Sequence, residues 1–273
     1  MPEGPEIRRE GDLIAKRLVG KVIQEAFFGL KRLNRYKKFL IGKKVIKVMT
    51  HGKAMMIHFE GGKVLYSHNQ LYGKWYVTTL GNSPDTNRTL RISLSTHKHR
   101  ALLYSASEIE VLEEQSLYDH SYLRKLGPDI LSSTTTSAVI SERLMDRRFS
   151  RRCLSSLYLD QKFIAGIGNY LRSEILYFAE VKPSSQPTNL NGKAIDKLAK
   201  LTLSLSVRSY KSGGITNSAS RVESLKRKGK TRAQYRFAVF DRAGEQCYRC
   251  GNRIQRLEAN GRRIYMCSTC QTG

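Results

Sequence analysis

The sequence predicts an α+β protein with more than one domain, in which a β-rich first half precedes a helical second half and a short cysteine-containing end. Short apolar and β-branched segments separated by glycine turns lie before residue 126, whereas apolar residues recur at spacings of three and four after residue 139. Two Cys-x-x-Cys pairs lie near the C-terminus. The chain has 273 residues and is 40% hydrophobic, so it is long enough for two modest cores, and we expect two domains.

One helix is expected before the first strand. Pro5 suits the first turn of a helix, and Gly20 suits its end. Ile7, Ile14 and Leu18 share one helical face. The chain should therefore begin with an amphipathic helix that packs on the β-rich half.

Strands should follow this helix. The segments KVIKVMTHGKAMMIHFEGGKVLYSH and TLRISLSTHKHRALLYSA contain apolar and β-branched runs, and the first is divided by His-Gly and Gly-Gly turns. Such a pattern is typical of an antiparallel β-sandwich or barrel.

The second half begins after a stretch without periodicity. LGPDILSSTTTSAV, at 126–139, is a Gly-Pro turn followed by a Ser/Thr run, which is typical of a hinge. SSLYLDQKFIAGIGNYLRSEILYFA then predicts two helices joined at AGIG, the second starting at Asn169. The Gly/Ser-rich and basic stretch 209–237 indicates a mobile loop. The predicted parts are a β-rich domain at 1–125, the hinge at 126–139, a helical domain with this loop at 140–236, and the cysteine segment at 237–273.

The net charge of the chain indicates which class of partner it binds. There are 48 Lys and Arg against 23 Asp and Glu, a formal net charge of +25, which favours a polyanionic partner and nucleic acid above others. The alternative is a basic protein without a specific partner, since ribosomal and membrane-surface proteins carry similar charge. No apolar run reaches the roughly 18 residues of a spanning helix, and the first residues are too charged for a secretory signal. We expect a soluble intracellular protein.

The cysteine spacing predicts a metal site. Cys247 and Cys250 form one pair, Cys267 and Cys270 form the other, and residues 251–266 separate them, which is a spacing typical of a structural zinc ion held by four thiolates. Two disulfides are the alternative, but an intracellular chain keeps its thiols reduced. Four thiolates complete the shell of a zinc ion, so the metal should fold the segment and take no part in catalysis. Cys153 is left over and is expected to be a core residue.

Two glycine turns are candidate phosphate sites. ANGR should form the turn of a β-hairpin with Arg262 at its tip, where a rigidly held guanidinium can bind phosphate through two hydrogen bonds. The AGIG turn exposes backbone amides at the start of the helix that Asn169 begins. The alternatives are a solvated turn arginine and an ordinary corner between two helices.

The opening MPEGPEIRRE raises the possibility of amine chemistry. If Met1 is removed, Pro2 has a free secondary amine, and such an amine forms a cationic iminium ion when it attacks the anomeric carbon of a sugar. Glu3 is placed to transfer protons during ring opening. The alternative is an ordinary chain start without a catalytic role.

These segments resemble the bacterial formamidopyrimidine-DNA glycosylase and endonuclease VIII family of base-excision repair enzymes. MPEGPEIRRE, HGKAMMIHF, LYSHNQLYGKW, DQKFIAGIGNYLRSEIL and the end GRRIYMCSTCQ carry the resemblance, which is collinear over nearly the whole chain. SHNQLYG and LYSASEIEVL are similar to the endonuclease VIII branch, which acts on oxidised pyrimidines. The resemblance implies an N-terminal β-sandwich with a leading helix, a hinge, a helix-two-turns-helix domain and a C-terminal zinc finger.

The resemblance also implies roles for individual residues. Pro2 would be the Schiff-base nucleophile, Glu3 the acid that protonates the opening sugar, and Lys53 the proton donor in β-elimination. Arg262 would bind phosphate and serve δ-elimination, while Arg263 is the competing candidate with the wrong register to Cys267.

The implied DNA contacts are spread over both halves. Asn169 would contact backbone phosphate, and Gln70, Leu71 and Tyr72 would fill the space left by an extruded base. Lys125 stands where the branch usually has an arginine, so it should attract phosphate without bidentate geometry.

The expected function is therefore that of a bifunctional DNA glycosylase and abasic-site lyase. It would act as a monomer on damaged double-stranded DNA in the cytoplasm of a bacterium, with one structural zinc ion. An oxidised-purine glycosylase and a non-catalytic zinc-containing DNA-binding protein are the alternatives, although the set of Pro2, Glu3 and Lys53 argues against the second.

Overall fold

The computed structural model describes residues 2–259 and 261–272. The chain divides into two compact units, residues 1–125 and 126–273. Within the described ranges, no helix is both long and apolar enough to cross a membrane.

The first unit contains one long helix and two antiparallel sheets. One sheet has the strand order β2-β3-β4-β8 and the other β1-β6-β7-β5. Because these are two separate four-stranded sheets, the strands form a sandwich and not a closed barrel. The elements are α1 Gly4–Leu18, β1 Glu25–Phe28, α2 Lys37–Leu40, β2 Val45–His51, β3 Ala54–Phe59, β4 Lys63–His68, β5 Lys74–Thr79, β6 Leu90–Ser95, β7 His99–Tyr104 and β8 Glu108–Glu113.

Helix α1 packs through the face that the sequence predicted. Ile7, Ile14 and Leu18 are buried and belong to the same apolar cluster as the sheet residues Ile57 and Leu103. Burying each such side chain contributes roughly 1.5–3 kcal/mol. The sandwich core therefore fixes the direction of the helix and the position of the residues at its start.

The second unit is mainly helical and ends in a hairpin. Its core is formed by a cluster of buried apolar side chains from the helices and their connections, including Leu144, Leu171 and Leu198. Residues 158–168 form the turns between the fourth and fifth helices. The elements are α3 Ser137–Met145, α4 Leu154–Leu157, α5 Asn169–Ala179, α6 Gly192–Ser212, α7 Ala219–Arg227, α8 Arg232–Arg236, β9 Gln255–Ala259 and β10 Arg262–Met266.

The stretch predicted as a mobile loop at 209–237 is largely helical, and this prediction was wrong. Helix α6 continues to Ser212, and α7 and α8 follow it. Ser218 accepts a hydrogen bond from the Arg221 amide and caps α7, while Thr231 begins α8 in a capping box with Gln234. The serine and threonine that suggested a loop are thus helix caps, which these side chains favour.

Two further boundaries differ from the prediction. Helix α3 begins at Ser137, so the end of the stretch predicted as a hinge is helical, with Thr136 as its N-cap. Helix α4 is one turn long, because Asp160 and Gln161 bind nearby backbone groups and favour turns.

Candidate functional site

Pro2 and Glu3 directly precede helix α1 in the first unit. Glu3 is the N-cap residue and is 1% exposed, and its backbone amide donates to the Glu6 carboxylate at 3.0 Å. Pro2 is half-buried beside it, at the positive end of the helix dipole. Met1 lies outside the described residues. A terminal amine on Pro2 would therefore have a buried carboxyl group as its immediate neighbour.

Lys53 lies in the turn between β2 and β3, after Gly52, whose φ is +60°. The positive charge of Lys53 helps to lower the pKa of His68, although burial of the imidazole is the larger cause and Glu108 opposes both. Lys53 and His68 are thus electrostatic neighbours within the first unit. His68 is also the last residue of β4, directly before the predicted DNA-contacting turn.

Residues 69–73 form a tight turn that presents two apolar side chains to solvent. Leu71 is 53% exposed and Tyr72 is 69% exposed. Gln70 has a φ of +51°, and its side chain donates to Glu108 at 3.3 Å and accepts from Ser107 at 2.8 Å. The structure thus brings the three predicted space-filling residues together at one surface point.

A carboxylate that the sequence analysis missed holds both ends of this turn. Glu10 Oε2 accepts from Asn69 Nδ2 at 2.8 Å and from the Trp75 amide at 3.2 Å. Burial raises the pKa of Glu10 to about 7, against the opposing effect of these bonds and of Lys74. A signal was present in the sequence, because Glu10 lies on the same helical face as the buried Ile7 and Ile14 and is itself half-buried beside them.

The backbone of the turn leaves no room for a side chain at position 73. The Gly73 amide donates to the Asn69 carbonyl at 2.7 Å, and a Cβ on Gly73 would lie 2.5 Å from that carbonyl oxygen. The close approach of the backbone at residues 69 and 73 therefore requires glycine at position 73.

In the second unit, one buried guanidinium joins Asn169 to the C-terminal hairpin. Asn169 begins α5, as predicted, and its side-chain oxygen accepts from Arg172 Nη2 at 2.5 Å. Arg172 is fully buried and also donates to the carbonyl oxygens of Ser155 at 2.7 Å and Arg263 at 3.0 Å. The Asn169 side chain and strand β10, which starts at Arg262, are therefore held by the same group.

Arg262 itself is exposed and pairs with Ala259 at the end of the β9–β10 hairpin. Asn260 of the predicted ANGR turn lies outside the described residues, and Gly261 has a φ of +66°. The predicted hairpin is present, with Arg262 at its turn end. The neighbouring Arg263 instead supplies the carbonyl that binds Arg172.

Glu174 ties helix α5 to the chain that leads into the hairpin. Its buried carboxylate accepts from the amides of Ala238, Val239 and Phe240, each at 2.8 Å, and from the Thr216 hydroxyl. Burial raises the pKa of this carboxyl group. Three amide donors on one side chain fix the start of the C-terminal segment.

The four cysteines predicted as ligands converge at one place. The Sγ atoms of Cys247, Cys250, Cys267 and Cys270 lie within 4.8 Å of one another. Tyr177 of α5 lies 3.2 Å from Cys247 Sγ through its hydroxyl. Four sulfurs this close match the donor set of a tetrahedral metal ion.

Two other predicted residues lie apart from these clusters. Lys125 is exposed at the end of a short 3₁₀ turn, Leu123–Lys125, which closes the first unit. Cys153 is half-buried at the N-cap of α4, so the expectation that it belongs to the core was wrong.

Comparison with known proteins identifies the family. Residues 1–107 match the model of the formamidopyrimidine-DNA glycosylase N-terminal domain, and residues 126–220 match that of the formamidopyrimidine-DNA glycosylase H2TH domain. Endonuclease 8 of Pectobacterium atrosepticum is 42% identical over 272 residues and covers 100% of both chains. The chain belongs to the formamidopyrimidine-DNA glycosylase and endonuclease VIII family. Endonuclease 8 of Shigella flexneri is also 42% identical, over 99% of this chain and 100% of its own.

Solved structures of the family share the fold. The formamidopyrimidine-DNA glycosylase of Lactococcus lactis, in a complex with DNA that contains N7-benzyl-Fapy-dG, has a TM-score of 0.80 at 23% identity, covering 100% of both chains. The same Lactococcus enzyme non-covalently bound to DNA with an abasic site also has a TM-score of 0.80, at 22% identity. The predicted α+β architecture is therefore confirmed. Membership of the family, shown by the two domain models and the 42% identical relatives, makes the chain a DNA repair enzyme of the glycosylase and abasic-site lyase class.

Because the pKa of Glu10 is raised, we expect the stability of the wild type to depend on pH differently from that of Glu10→Gln. The folded chain retains the Glu10 proton up to about pH 7, whereas the unfolded chain releases it near the ordinary value of 4.5. Wild-type stability should therefore fall as the pH rises through this window, because the unfolded state binds fewer protons there. Glu10→Gln cannot ionise and avoids this loss.

Melting temperatures of Glu10→Gln and wild type, measured by calorimetry across this range, should diverge in favour of the variant as the pH rises from 4.5 to about 7 and then run parallel. A difference that is constant or shrinks with rising pH would contradict the assignment.

Proposed function

We propose that this protein is a bifunctional DNA glycosylase and abasic-site lyase that removes oxidised pyrimidines from double-stranded DNA. The observation that carries the proposal is the start of helix α1, where Pro2 stands beside the buried Glu3 carboxyl group. In a chain whose residues 1–107 match the family's N-terminal domain, this pair supports covalent catalysis by a terminal amine.

The reaction begins with attack of the Pro2 nitrogen on C1′ of the damaged nucleotide. The bond between C1′ and the base breaks, and the base leaves with the bonding electrons and takes a proton from solvent. The attacking nitrogen loses its proton, and Glu3 protonates the ring oxygen as the sugar opens. The resulting iminium ion withdraws electrons from C2′. Loss of a C2′ proton then expels the 3′ phosphate by β-elimination, and a second, δ-elimination expels the 5′ phosphate.

Lys53 and Arg262 are assigned to the elimination steps. Lys53 acts as the proton donor in β-elimination. Its position in the turn between strands β2 and β3 of the first unit supports this role. Arg262 binds phosphate and serves δ-elimination from the end of the hairpin, where its guanidinium is exposed.

The exposed turn supplies the residues that replace the extruded base. Removing a base from the stack costs a few kcal/mol, and apolar side chains inserted into the gap offset part of this cost. Leu71 and Tyr72 are suited to this role because both are exposed apolar side chains at the tip of a tight turn, beside Gln70.

DNA backbone contacts are assigned to both units. Asn169 meets phosphate from the start of α5, where backbone amides and the helix dipole favour an anion. Lys125 adds a monodentate cationic contact. The four cysteine thiolates hold one structural zinc ion, whose binding completes the finger that carries Arg262. The enzyme acts as a monomer on DNA in the bacterial cytoplasm.

Pyrimidine specificity is favoured over purine specificity by the relatives, since the 42% identical proteins are named Endonuclease 8. Single-turnover excision from duplexes carrying an oxidised pyrimidine or an oxidised purine tests this choice. Faster release of the oxidised purine would favour the alternative glycosylase.

The proposed nucleophile predicts that covalent trapping depends on a free Pro2 amine. Protein with a processed N-terminus should form a borohydride-stable adduct with abasic DNA, whereas protein that retains Met1 should bind the same DNA without forming one. Denaturing gel electrophoresis measures the adduct, and binding of an uncleavable abasic analogue controls for affinity. Efficient trapping of the Met1-retaining protein would remove Pro2 from the mechanism.

The zinc assignment predicts one zinc ion per chain and a local effect of its loss. Cys250→Ser should lower DNA affinity and unfold the finger while the sandwich stays folded, because the apolar cluster of the sandwich includes no described residue of the finger. Elemental analysis and hydrogen exchange resolved by segment measure these effects. Cys153→Ser is the matched control and should retain the metal. Active protein with well under one zinc per chain contradicts the assignment.

The proposed contacts predict different salt dependences for two variants. In this proposal Lys53 also contacts phosphate, together with Lys125 and Arg262. Each cationic phosphate contact contributes about −0.9 to the slope of log affinity against log salt, so the three give roughly −3 as a minimum. The basic run 226–232 can make the slope steeper. Arg262→Ala should flatten it by about one unit, whereas Asn169→Ala should weaken binding with little change of slope.

Binding of an uncleavable abasic analogue across a salt series checks this difference. Because Asn169 accepts a hydrogen bond from the buried Arg172, the melting temperature of Asn169→Ala should be measured in parallel. Equal flattening in the two variants would show that the division into ionic and neutral contacts is wrong.

A further inference from the structure

The turn at residues 69–73 joins strands of different sheets. Strand β4 ends at His68 in one sheet, and β5 begins at Lys74 in the other. The direction in which Leu71 and Tyr72 point therefore depends on how this crossing is anchored to the rest of the unit.

Glu10 anchors both flanks of the crossing to helix α1. One carboxylate oxygen accepts from the Asn69 side chain on one flank and from the Trp75 amide on the other. Both partners are buried, at 2% and 3% exposure, and the Trp75 indole donates to Ser67 of β4 at 3.2 Å. The base of the turn is thus immobilised while its tip stays exposed.

The contacts at the tip are of a different kind. Glu108 of β8 accepts a hydrogen bond from the Gln70 side chain, and the Ser107 hydroxyl donates one to the Gln70 side-chain oxygen. These bonds are exposed and hold only one side chain. The Glu10 bonds instead hold the two flanks of the turn, through the Asn69 side chain and the Trp75 amide.

We propose that Glu10 is a positioning residue for base extrusion, which holds the Gln70–Tyr72 turn at a set place relative to the start of helix α1. The inference rests on the proposed function, in which Pro2 attacks the sugar and the turn fills the vacated stack. Both events concern one nucleotide, so the nucleophile and the turn must keep a fixed separation.

Helix α1 is suited to maintain this separation. Glu3 and Glu10 are seven residues apart, which is close to two helical turns and about 10 Å along the axis, so both lie on the same face. The buried face of α1 packs in the sandwich core and keeps the helix straight and in place. Through its hydrogen bonds to Asn69 and Trp75, Glu10 fixes the turn relative to the helix.

The role requires an acceptor oxygen and not a charge. Lys74 and Glu6 are the charged groups that act on Glu10, with opposite effects on its pKa. Both the ionised and the protonated carboxyl group retain an oxygen that can accept from Asn69 and Trp75. A glutamine at position 10 offers the same oxygen, whereas an alanine offers none.

Three variants test the proposal: Glu10→Ala, Glu10→Gln and the control Asp12→Asn, which removes a carboxylate from the more exposed Arg8–Asp12 pair of the same helix. Duplexes with 2-aminopurine next to the lesion report insertion of the turn through their fluorescence. Trapping by borohydride on preformed abasic DNA reports the amine chemistry, and the melting temperature reports folding.

Glu10→Ala should slow insertion and base excision about tenfold, the effect of roughly 1.4 kcal/mol, while trapping on abasic DNA falls less than about threefold. Glu10→Gln and Asp12→Asn should match the wild type in the rates of insertion, base excision and trapping. If Glu10→Ala does not fold, Asn69→Ala, which removes one of the two donors, should slow insertion about threefold relative to these controls, and insertion at the wild-type rate in this variant would overturn the proposal.

Normal insertion in folded Glu10→Ala would overturn the proposal, and so would an equal defect in Glu10→Gln, since the acceptor would then not be the reason. An equal defect in Asp12→Asn would do the same. The chemistry is judged separately: insertion that depends on Glu10 in a wild type that forms no adduct would support the positioning and overturn Pro2 as nucleophile.

Discussion

The proposed catalytic geometry depends on one constraint, which is the fixed position of helix α1. The amine assigned to attack belongs to the backbone of Pro2, so no side-chain torsion can aim it. Its location is set by the helix that starts two residues later and by the burial of Ile7, Ile14 and Leu18 in the sandwich. The core of the first unit is therefore also the support of its proposed reaction centre.

In the second unit, buried polar side chains of helix α5 hold the C-terminal segment in place. A segment of the size of 237–273 cannot bury enough apolar surface to be stable alone. Helix α5 supplies Arg172, Glu174 and Tyr177, which bind the Arg263 carbonyl, the amides of 238–240 and the sulfur of Cys247. Because these groups are buried, leaving any of their partners unpaired would be costly. The finger is thus attached to the helical unit by polar contacts as well as by the metal site.

Two of the errors made from the sequence, at 209–237 and at Ser137, have a common cause. Serine, threonine and glycine favour loops and also cap helices, and the pattern alone does not distinguish the two uses. At 209–237 this ambiguity concealed α7 and α8, and at Ser137 it concealed the start of α3. In each case the serine or threonine before the helix accepts a backbone amide or begins a capping box.

The sequence by itself determined the class of fold, the apolar face of α1, the start of α5 at Asn169 and the four cysteines, because periodicity and close spacing are local properties of a chain. The tertiary structure decided which polar groups were buried together. Glu10 meets Asn69 and Trp75, and Arg172 meets the Arg263 carbonyl, across separations of at least 59 residues. Such partners are chosen by the packing of distant elements, and no local pattern encodes them.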